Sequence, residues 1–388
     1  MEKNVTDPDT VHLSAAAPAR AGRLTSLDAF RGITIAGMIL VNNPGDGGHV
    51  YPALLHAEWH GWTPTDLIFP FFLFIVGVAM PYSFSRRIEQ GASKGRLLLH
   101  ILYRSAVLIA LGMLLTGLPD YNFGKRLFLD VLQRIGVVYL FSGAIFLYTR
   151  ERGQALIAAA CIIIYWALMM LLSVPGYGAG VLTWEGSLWG YVDRVVTAGW
   201  HEHGEGILSL IPSVSTVLLG SLTGYYLRSK RGPYEKVAGL FVFGNLGLVL
   251  GAIMNMWFPI NKLLWSSSYV VFTAGFALNL LGVCYWLIDI KGYRRWSTPF
   301  IAFGMNAIAA FFLSSLTGRL MGLIKVPVAS LPGSTDASYA SLKGYLYSNL
   351  FAPLASQINS SLLWAIVYVL IWLGVMSVLY RRKIFVKI

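Results

Sequence analysis

The sequence predicts an all-α polytopic membrane protein, and three observations support this fold class. Of the 388 residues, 56% are hydrophobic and only 12% are charged, whereas a typical soluble domain has about 25% charged residues. Apolar runs long enough to cross a bilayer recur along the chain, and the basic residues fall in the short segments between them. The net charge of +12 therefore indicates topology-setting loops beside a lipid bilayer, and no nucleic acid partner is expected.

The apolar runs predict about ten transmembrane helices. They lie near residues 27–43, 65–85, 98–117, 127–149, 155–174, 206–228, 236–257, 264–289, 298–317 and 360–380. A weaker segment near 340–358 contains polar and helix-breaking residues, so we expect a re-entrant or interfacial helix there. Residues 1–23 are rich in Ala, Asp, Thr and Pro and predict a disordered cytoplasmic tail, which leaves 24–388 as a single transmembrane domain.

The lysine and arginine residues predict the orientation of these helices. With ten spans, the basic clusters near 86–104, 150–152, 228–236, 291–295 and 381–387 all lie on one side, together with both termini. Because basic residues concentrate in cytoplasmic loops, that side is predicted to be the cytoplasm. The loops on the other side hold five of the seven histidines, so we expect the chemistry near the outer face.

One segment before the second predicted helix concentrates titratable groups. His56 and His60 flank Glu58 and Trp59, and Asp66 begins the helix. A neutral imidazole accepts or donates a proton near pH 7, so the segment predicts proton chemistry at a membrane face. The His-x-Glu-x-His spacing lies in a sequence that favours irregular structure, so no metal is expected. Asp66 either complements the helix dipole or orients a histidine, and the sequence does not choose.

Charged residues also mark the first and fourth predicted helices. Asp28 and Arg31 are three residues apart and share a helix face. They form either a helix-start cap beside an arginine that reaches the membrane surface, or a cytoplasmic site for an anionic ligand such as phosphate. Gln133 and Arg134 fall inside the fourth span, where the arginine needs a partner, which is an acid such as Asp130 or a bound anion.

Polar residues of the predicted outer loops suit a sugar. Glu205, Asn261 and Lys262 offer hydrogen-bonding groups. Tryptophans such as Trp59 offer stacking faces, although tryptophan also forms interfacial belts. Asn306 is an amide within a predicted span and either contacts the substrate or bonds one helix to another.

Nine short stretches carry a resemblance to a known family, in the family's order. They are Arg23–Gly32, Val41–Asn42, His56–Gly61, Asp66–Pro70, Val131–Arg134, Glu205–Leu208, Pro259–Ser266, Gly304–Asn306 and Tyr380–Ile388. With these stretches the chain resembles the heparan-α-glucosaminide N-acetyltransferase family of the transmembrane acyltransferase superfamily, including its bacterial NagX-like members.

The resemblance implies an enzyme that takes an acetyl group from cytoplasmic acetyl-CoA. It would deliver the group to the amino group of glucosamine, or of a glucosamine-containing saccharide, on the far side of the membrane. The family's active histidine matches His56, and its nearby asparagine matches Asn42. The resemblance further implies a homodimer and, for a bacterial member, the inner (cytoplasmic) membrane.

We therefore expect an acetyl-CoA-dependent acyltransferase whose catalytic residues are His56, Asn42 and Asp66. His56 would act as a general base or as a transient acetyl carrier, and Asn42 would bond the thioester oxygen or orient His56. The predicted acetyl-CoA contacts are Arg31, Arg134, Gln133 and Asp28, and the predicted sugar contacts are Glu205, Asn261, Lys262, His60, Trp59 and Asn306. The alternatives are an amino-sugar transporter and an O-acetyltransferase of a cell-envelope glycan.

Overall fold

The computed structural model of the chain describes residues 24–119, 121, 130–196, 206–328 and 338–386. Within these ranges the chain is almost entirely helical. The helices are Thr25–Asn42 (α1), Pro64–Glu89 (α2), Lys94–Gly117 (α3), Val131–Tyr148 (α4), Glu151–Leu171 (α5), Leu188–Val196 (α6), Leu210–Arg228 (α7), Pro233–Met254 (α8), Ser267–Cys284 (α9), Thr298–Met305 (α10), Ala307–Leu323 (α11), Leu342–Leu350 (α12) and Gln357–Arg381 (α13). The strands are Ser173–Val174 (β1), Gly178–Ala179 (β2), Lys325–Val328 (β3) and Ser338–Ser341 (β4). The predicted tail 1–23 lies outside the described residues.

Eight of the described helices are long and apolar enough to cross a membrane, which confirms the all-α polytopic class. They are α2, α3, α4, α5, α7, α8, α13, and α9 together with the π-helical turn that continues it to Ile290. A ninth span is formed if α10 and α11, which meet at a bend of 83°, are counted as one. The first predicted span is helical as α1, but Asp28 and Arg31 lower its apolar character. The predicted ten spans thus correspond to eight or nine membrane-capable helices among the described residues, plus α1.

The segment predicted to be re-entrant or interfacial forms short elements instead of a spanning helix. Residues 340–358 contain the end of β4, the nine-residue helix α12 and a 3-10 turn, and none of the side chains of α12 is buried. An antiparallel hairpin of β3 and β4 precedes α12, with Lys325 paired to Ser341. A short helix of this kind, with partly buried and exposed side chains, agrees with the interfacial alternative better than with a membrane crossing.

Helix α2 is the most deeply buried of the membrane-capable helices. It packs along α7 through glycines on both helices: a Cβ added to Gly77 would lie 1.9 Å from the Val217 carbonyl oxygen, and one added to Gly220 would lie 2.1 Å from that of Phe74. Small residues let two helix backbones approach closely inside a membrane. The close packing against α7 fixes the position of α2, and both ends of α2 carry functional groups.

Helices α1 and α2 are antiparallel neighbours, so each end of the bundle receives one end of each helix. Gly37 of α1 faces Ile68 near the start of α2. We call the end at which α2 begins the His56 end. The other end, where α2 finishes near Arg86 and Arg87, is called the Arg86 end.

Candidate active site

The carboxylate of Asp66 organises the loop before α2 at the His56 end. Asp66 is the third residue of α2, and its Oδ2 accepts the backbone N–H groups of Ala57 and Thr63, both at 3.0 Å. Its Oδ1 lies 2.6 Å from Nδ1 of His56, and the side chain is only 1% exposed. Asp66 therefore caps the helix and orients the histidine at once, so the two alternatives that the sequence left open are both realised.

The second ring nitrogen of His56 faces away from Asp66. The contact with the Asp66 carboxylate places the proton on Nδ1, because a carboxylate accepts hydrogen bonds. The lone pair is then on Nε2, and the His56 side chain is 50% exposed. An imidazole with one nitrogen fixed by a carboxylate and the other free to accept a proton is the arrangement of a general base.

Lys262 lies directly against this histidine. Its Nζ is 3.2 Å from both ring nitrogens of His56 and 3.9 Å from Oδ1 of Asp66. Only 16% of the lysine side chain is exposed. A carboxylate, an imidazole and a primary amine therefore meet at one point, although they are far apart in sequence.

The loop that carries Lys262 is held by its own polar side chains. Oδ1 of buried Asn261 accepts the backbone N–H of Leu264 at 2.9 Å, and Oγ of Ser266 accepts the backbone N–H of Asn261 at 3.0 Å. The backbone N–H of Gly61 donates to the carbonyl of Ile260 at 2.8 Å, which ties this loop to the His56 loop. The position of the lysine beside His56 thus depends on both loops.

His60 joins the same two loops. The amide nitrogen of Asn261 lies 3.3 Å from Nδ1 of His60. Because the amide nitrogen donates, Nδ1 of His60 is the acceptor. Partial burial of the ring lowers the pKa of His60 below its ordinary value, so the ring is neutral at neutral pH. We therefore place His60 beside the site as a neutral hydrogen-bonding group.

Trp59 lies in a cluster of aromatic side chains. Its ring packs against Trp184 and Trp189, at centroid distances of 5.6 and 6.2 Å, and its Nε1–H donates to the carbonyl of Leu182 at 2.8 Å. Trp59 remains partly exposed. It anchors the His56 loop to the segment before α6, and its role as a sugar-stacking surface stays a prediction.

Arg134 and Gln133 are buried between helices. The guanidinium of Arg134 is fully buried, donates to Oγ of Ser213 at 3.0 Å and to the carbonyl of Gly206 at 2.9 Å, and lies over the ring of Trp265. Gln133 donates to the hydroxyl of Thr116 at 2.9 Å. Both side chains therefore have protein partners, and their contact with acetyl-CoA stays a prediction.

Asp130, which the sequence offered as a partner of Arg134, contacts Arg319 instead. Asp130 accepts the backbone N–H of Val131 at 2.7 Å, where it caps α4, and its carboxylate lies 3.7 Å from Arg319. This contact replaces the Asp130–Arg134 pair that the sequence suggested as one alternative.

A pocket of about 410 Å³ opens at the Arg86 end between the start of α1 and the end of α2. Arg31, Arg86 and Arg87 line it, together with Asp28 and Tyr82. Asp28 pairs with Arg31 at 3.4 Å, and Arg31 also donates to the carbonyl of Gly304 at 3.4 Å. Guanidinium groups match phosphate geometry, so the pocket suits an anionic ligand.

Arg86 and Arg87 were missed as site residues by the sequence analysis, which interpreted them as loop charges. Their proximity to Arg31 arises only from the antiparallel packing of α1 and α2. The one signal in the sequence was the pairing of a polar helix start with a basic helix end on consecutive predicted spans.

Two predicted site residues have no hydrogen bond, among those of the described residues, to the groups around His56, and a third lies outside the described residues. Asn42 is the exposed last residue of α1, and no hydrogen bond recorded among the described residues joins it to His56. Asn306 donates to the carbonyl of Ile384 at 3.1 Å and accepts from the backbone of Val386 at 2.8 Å, so it binds the C-terminal segment near the Arg86 end. Glu205 lies outside the described residues.

The structure thus brings together His56, Asp66, Lys262, His60 and Asn261, with Trp59 beside them. The Asn306 amide bonds one segment of the protein to another, which was the alternative to substrate contact, and a substrate contact of Asn306 stays a prediction. Among the residues that the structure describes, no three His, Cys, Asp or Glu side chains form a group that could hold a metal ion.

Comparisons with known proteins identify the family of the chain. The family model for the catalytic region of heparan-alpha-glucosaminide N-acetyltransferase matches residues 23–252. The chain is 32% identical over 366 residues to the heparan-alpha-glucosaminide N-acetyltransferase of Homo sapiens, a match that covers 78% of this chain and 54% of the relative. The protein of the same name from Mus musculus is 30% identical over 353 residues, covering 75% and 53%. The chain spans about half the length of these curated relatives. It belongs to the heparan-alpha-glucosaminide N-acetyltransferase family.

Proposed function

We propose that this chain is a transmembrane N-acetyltransferase that moves an acetyl group from acetyl-CoA to the amino group of glucosamine or a glucosamine-containing saccharide. The observation that carries the proposal is the contact of His56 with Asp66 at 2.6 Å, which leaves Nε2 as the nitrogen that can accept a proton, on a side chain that is half exposed. Family membership supplies the reaction class, because the relatives are named as glucosaminide N-acetyltransferases.

In this reaction His56 removes a proton from the acceptor amine as its nitrogen attacks the acetyl carbonyl. The Asp66 carboxylate stabilises the imidazolium that forms, since it lies within hydrogen-bond distance of Nδ1 and is shielded from water. Collapse of the tetrahedral intermediate breaks the carbon–sulfur bond, and the thiolate of CoA takes up a proton. A relay, in which His56 first carries the acetyl group, uses the same Nε2, and an acid quench of the enzyme with labelled acetyl-CoA separates the two routes.

The pocket at the Arg86 end is proposed to bind the phosphates of acetyl-CoA. Arg31, Arg86 and Arg87 provide the cationic groups, and the pocket volume of about 410 Å³ admits a phosphorylated ligand. Tyr82 of this pocket lies 16 residues after Asp66, about 24 Å along α2 at 1.5 Å per residue. The pantetheine arm would therefore extend along the bundle towards His56.

The sidedness and assembly belong to the same proposal. Basic residues concentrate at the Arg86 end, so we place that end and both termini in the cytoplasm, and the His56 end on the opposite side. We further propose a bacterial, NagX-like member that resides in the inner membrane as a homodimer. Labelling of single cysteines at each end with an impermeant reagent tests the sidedness. The mass of the protein in nanodiscs tests the homodimer.

The decisive experiment measures CoA release by the purified protein in nanodiscs with a panel of acceptors: glucosamine, N-acetylglucosamine and a cell-envelope glycan. The proposal predicts stoichiometric release of CoA and formation of an acetamide with glucosamine only. An amino-sugar transporter releases no CoA, and an O-acetyltransferase acts on the acceptors that lack a free amine. Either result would overturn the proposal.

A further inference from the structure

The amine of Lys262 occupies the place where the amine of the acceptor has to come. We propose that Lys262 is an internal acceptor, which the enzyme acetylates on Nζ when a thioester donor is bound and no amino sugar is present. This inference rests on the proposed function, because it uses the same donor and the same base. It adds a modification site through which the enzyme inactivates itself.

The geometry of Lys262 meets the requirement for an acceptor. A general base takes a proton from a nitrogen within about 2.6–3.2 Å, either from substrate or from a side chain. Nζ of Lys262 lies 3.2 Å from Nε2 of His56, at the limit of this range. Glucosamine and lysine both present a primary amine, so a base placed to activate one is also placed to activate the other.

The surrounding protein keeps the lysine at this point. The Asp66 carboxylate attracts the ammonium at 3.9 Å, and only 16% of the side chain is exposed. The loop beneath it is fixed by Asn261 and by the Gly61–Ile260 hydrogen bond. An acceptor sugar has to displace this ammonium to reach His56, so the amino sugar and Lys262 compete for one base.

The chemical step balances with the donor alone. The lysine ammonium gives one proton to Nε2 of His56, and the nitrogen lone pair then attacks the acetyl carbonyl carbon. The new carbon–nitrogen bond forms and the carbon–sulfur bond breaks, so the products are acetyl-lysine, the free thiol of CoA and one proton released to solvent through His56. No oxidant or further reactant is needed.

Acetylation has two effects on the site. It removes the positive charge beside Asp66, and it replaces a compact ammonium by a bulkier neutral amide at the base. Because an amide is stable, the acetyl group is not passed on to sugar. The enzyme would therefore lose activity in the presence of donor alone, and bound glucosamine would protect it.

The test incubates the full-length protein in nanodiscs with acetyl-CoA, with and without glucosamine. Peptide mass spectrometry then measures acetylation of Lys262, and the remaining transferase activity is assayed in parallel. We expect acetylation of Lys262 to rise with the loss of activity, and glucosamine to suppress both. His56→Ala should lower the rate of Lys262 acetylation about 100-fold or more, the usual contribution of a general base.

Lys343 is the matched control lysine. It lies in α12, and burial lowers its pKa, so a larger share of its amine is unprotonated and open to direct chemical acetylation. Its modification should be the same in wild type and His56→Ala. In Lys262→Arg, which keeps the charge, whatever activity the variant has at the start should persist during incubation with acetyl-CoA.

The outcomes separate this inference from the proposed function. If glucosamine is acetylated while Lys262 stays unmodified without acceptor, the internal-acceptor proposal is overturned and the proposed function stands. Equal modification of Lys262 in wild type and His56→Ala also overturns it, because the reaction would then be chemical. If neither CoA nor acetamide is formed under any condition, the proposed function itself fails.

Discussion

Replacing Asp66 with asparagine separates the charge of this side chain from its size. The carboxylate uses Oδ2 to accept the backbone N–H groups of Ala57 and Thr63, and Oδ1 to accept from His56. In Asp66→Asn the single oxygen has to face the two backbone donors, so the amide N–H groups point at Nδ1 of His56. The imidazole proton then moves to Nε2, and the histidine no longer has a lone pair for the acceptor amine.

The expected loss of kcat is large. An exchange of this kind that traps a catalytic histidine in the wrong tautomer costs about 10⁴-fold in a serine protease, which corresponds to about 5 kcal/mol. The loss of folding stability should be smaller, since both backbone hydrogen bonds persist with a neutral acceptor in place of a charged one, a difference of about 1–2 kcal/mol. The assay combines the initial rate of CoA release with thermal unfolding of the same sample.

Asp46 supplies the matched control. It lies in the same loop, and its carboxylate contacts Nδ1 of His49 at 2.7 Å, a second pair of similar geometry. Asp46→Asn should leave kcat within a few-fold of wild type. A kcat of Asp66→Asn within about tenfold of wild type, or an equal reduction of kcat by both substitutions, would rule out this role of the Asp66 charge.

Three further predictions concern the donor pocket, helix packing and pH. Arg86→Gln combined with Arg87→Gln should raise KM for acetyl-CoA by roughly 10–150-fold, which corresponds to about 1.5–3 kcal/mol for a charged hydrogen bond. The KM for glucosamine should not change, and Arg150→Gln is the control. An unchanged KM for acetyl-CoA would contradict the pocket assignment. Gly77→Ala should destabilise the protein by about 1–3 kcal/mol, because its Cβ would lie 1.9 Å from the Val217 carbonyl oxygen. Gly374→Ala is the control, since a Cβ at Gly374 meets nothing within 4 Å. Equal melting temperatures for the two alanine variants would contradict the α2–α7 contact. Burial lowers the pKa of His60 from 6.5, so below pH 6.5 the unfolded state binds more protons than the folded state. The contribution of this group to folding stability is therefore complete above pH 6.5 and is lost as the pH falls towards the lowered pKa. His60→Asn should weaken this acid dependence of the melting temperature, and the same dependence of melting temperature on pH in both proteins would disprove it.

The sequence predicted the membrane helices, and the residues that the structure brings together around His56 were among its candidate site residues. Apolar runs mark helices because lipid offers no partner for free backbone groups. Within the described residues, each predicted run contains a helix, and the run 298–317 contains two that meet at a bend. His56 was singled out by the titratable segment beside a helix start and by the family resemblance, whereas the sequence left the role of Asp66 open. Lys262 was assigned to the sugar side, but its contact with His56 depends on the pairing of two loops about 200 residues apart.

The rest depends on packing that the sequence pattern does not record. Arg86 and Arg87 become part of a pocket only because α1 and α2 are antiparallel neighbours. Arg134 was expected to need an anion, but the Gly206 carbonyl, the Ser213 hydroxyl and an aromatic ring provide its surroundings. The polar partners of Arg134 come from segments distant in sequence, and the hydropathy pattern does not show which segments pack against each other.

His56, oriented by Asp66, is the base that we propose for acetyl transfer. The most direct measurement compares the initial rates of acetyl transfer to glucosamine by His56→Ala and His49→Ala, prepared in parallel and shown by thermal unfolding to be folded. We expect His56→Ala to be slower than His49→Ala by about 10²–10⁴-fold, and His49→Ala to stay near wild type. Equal rates for the two variants would contradict it.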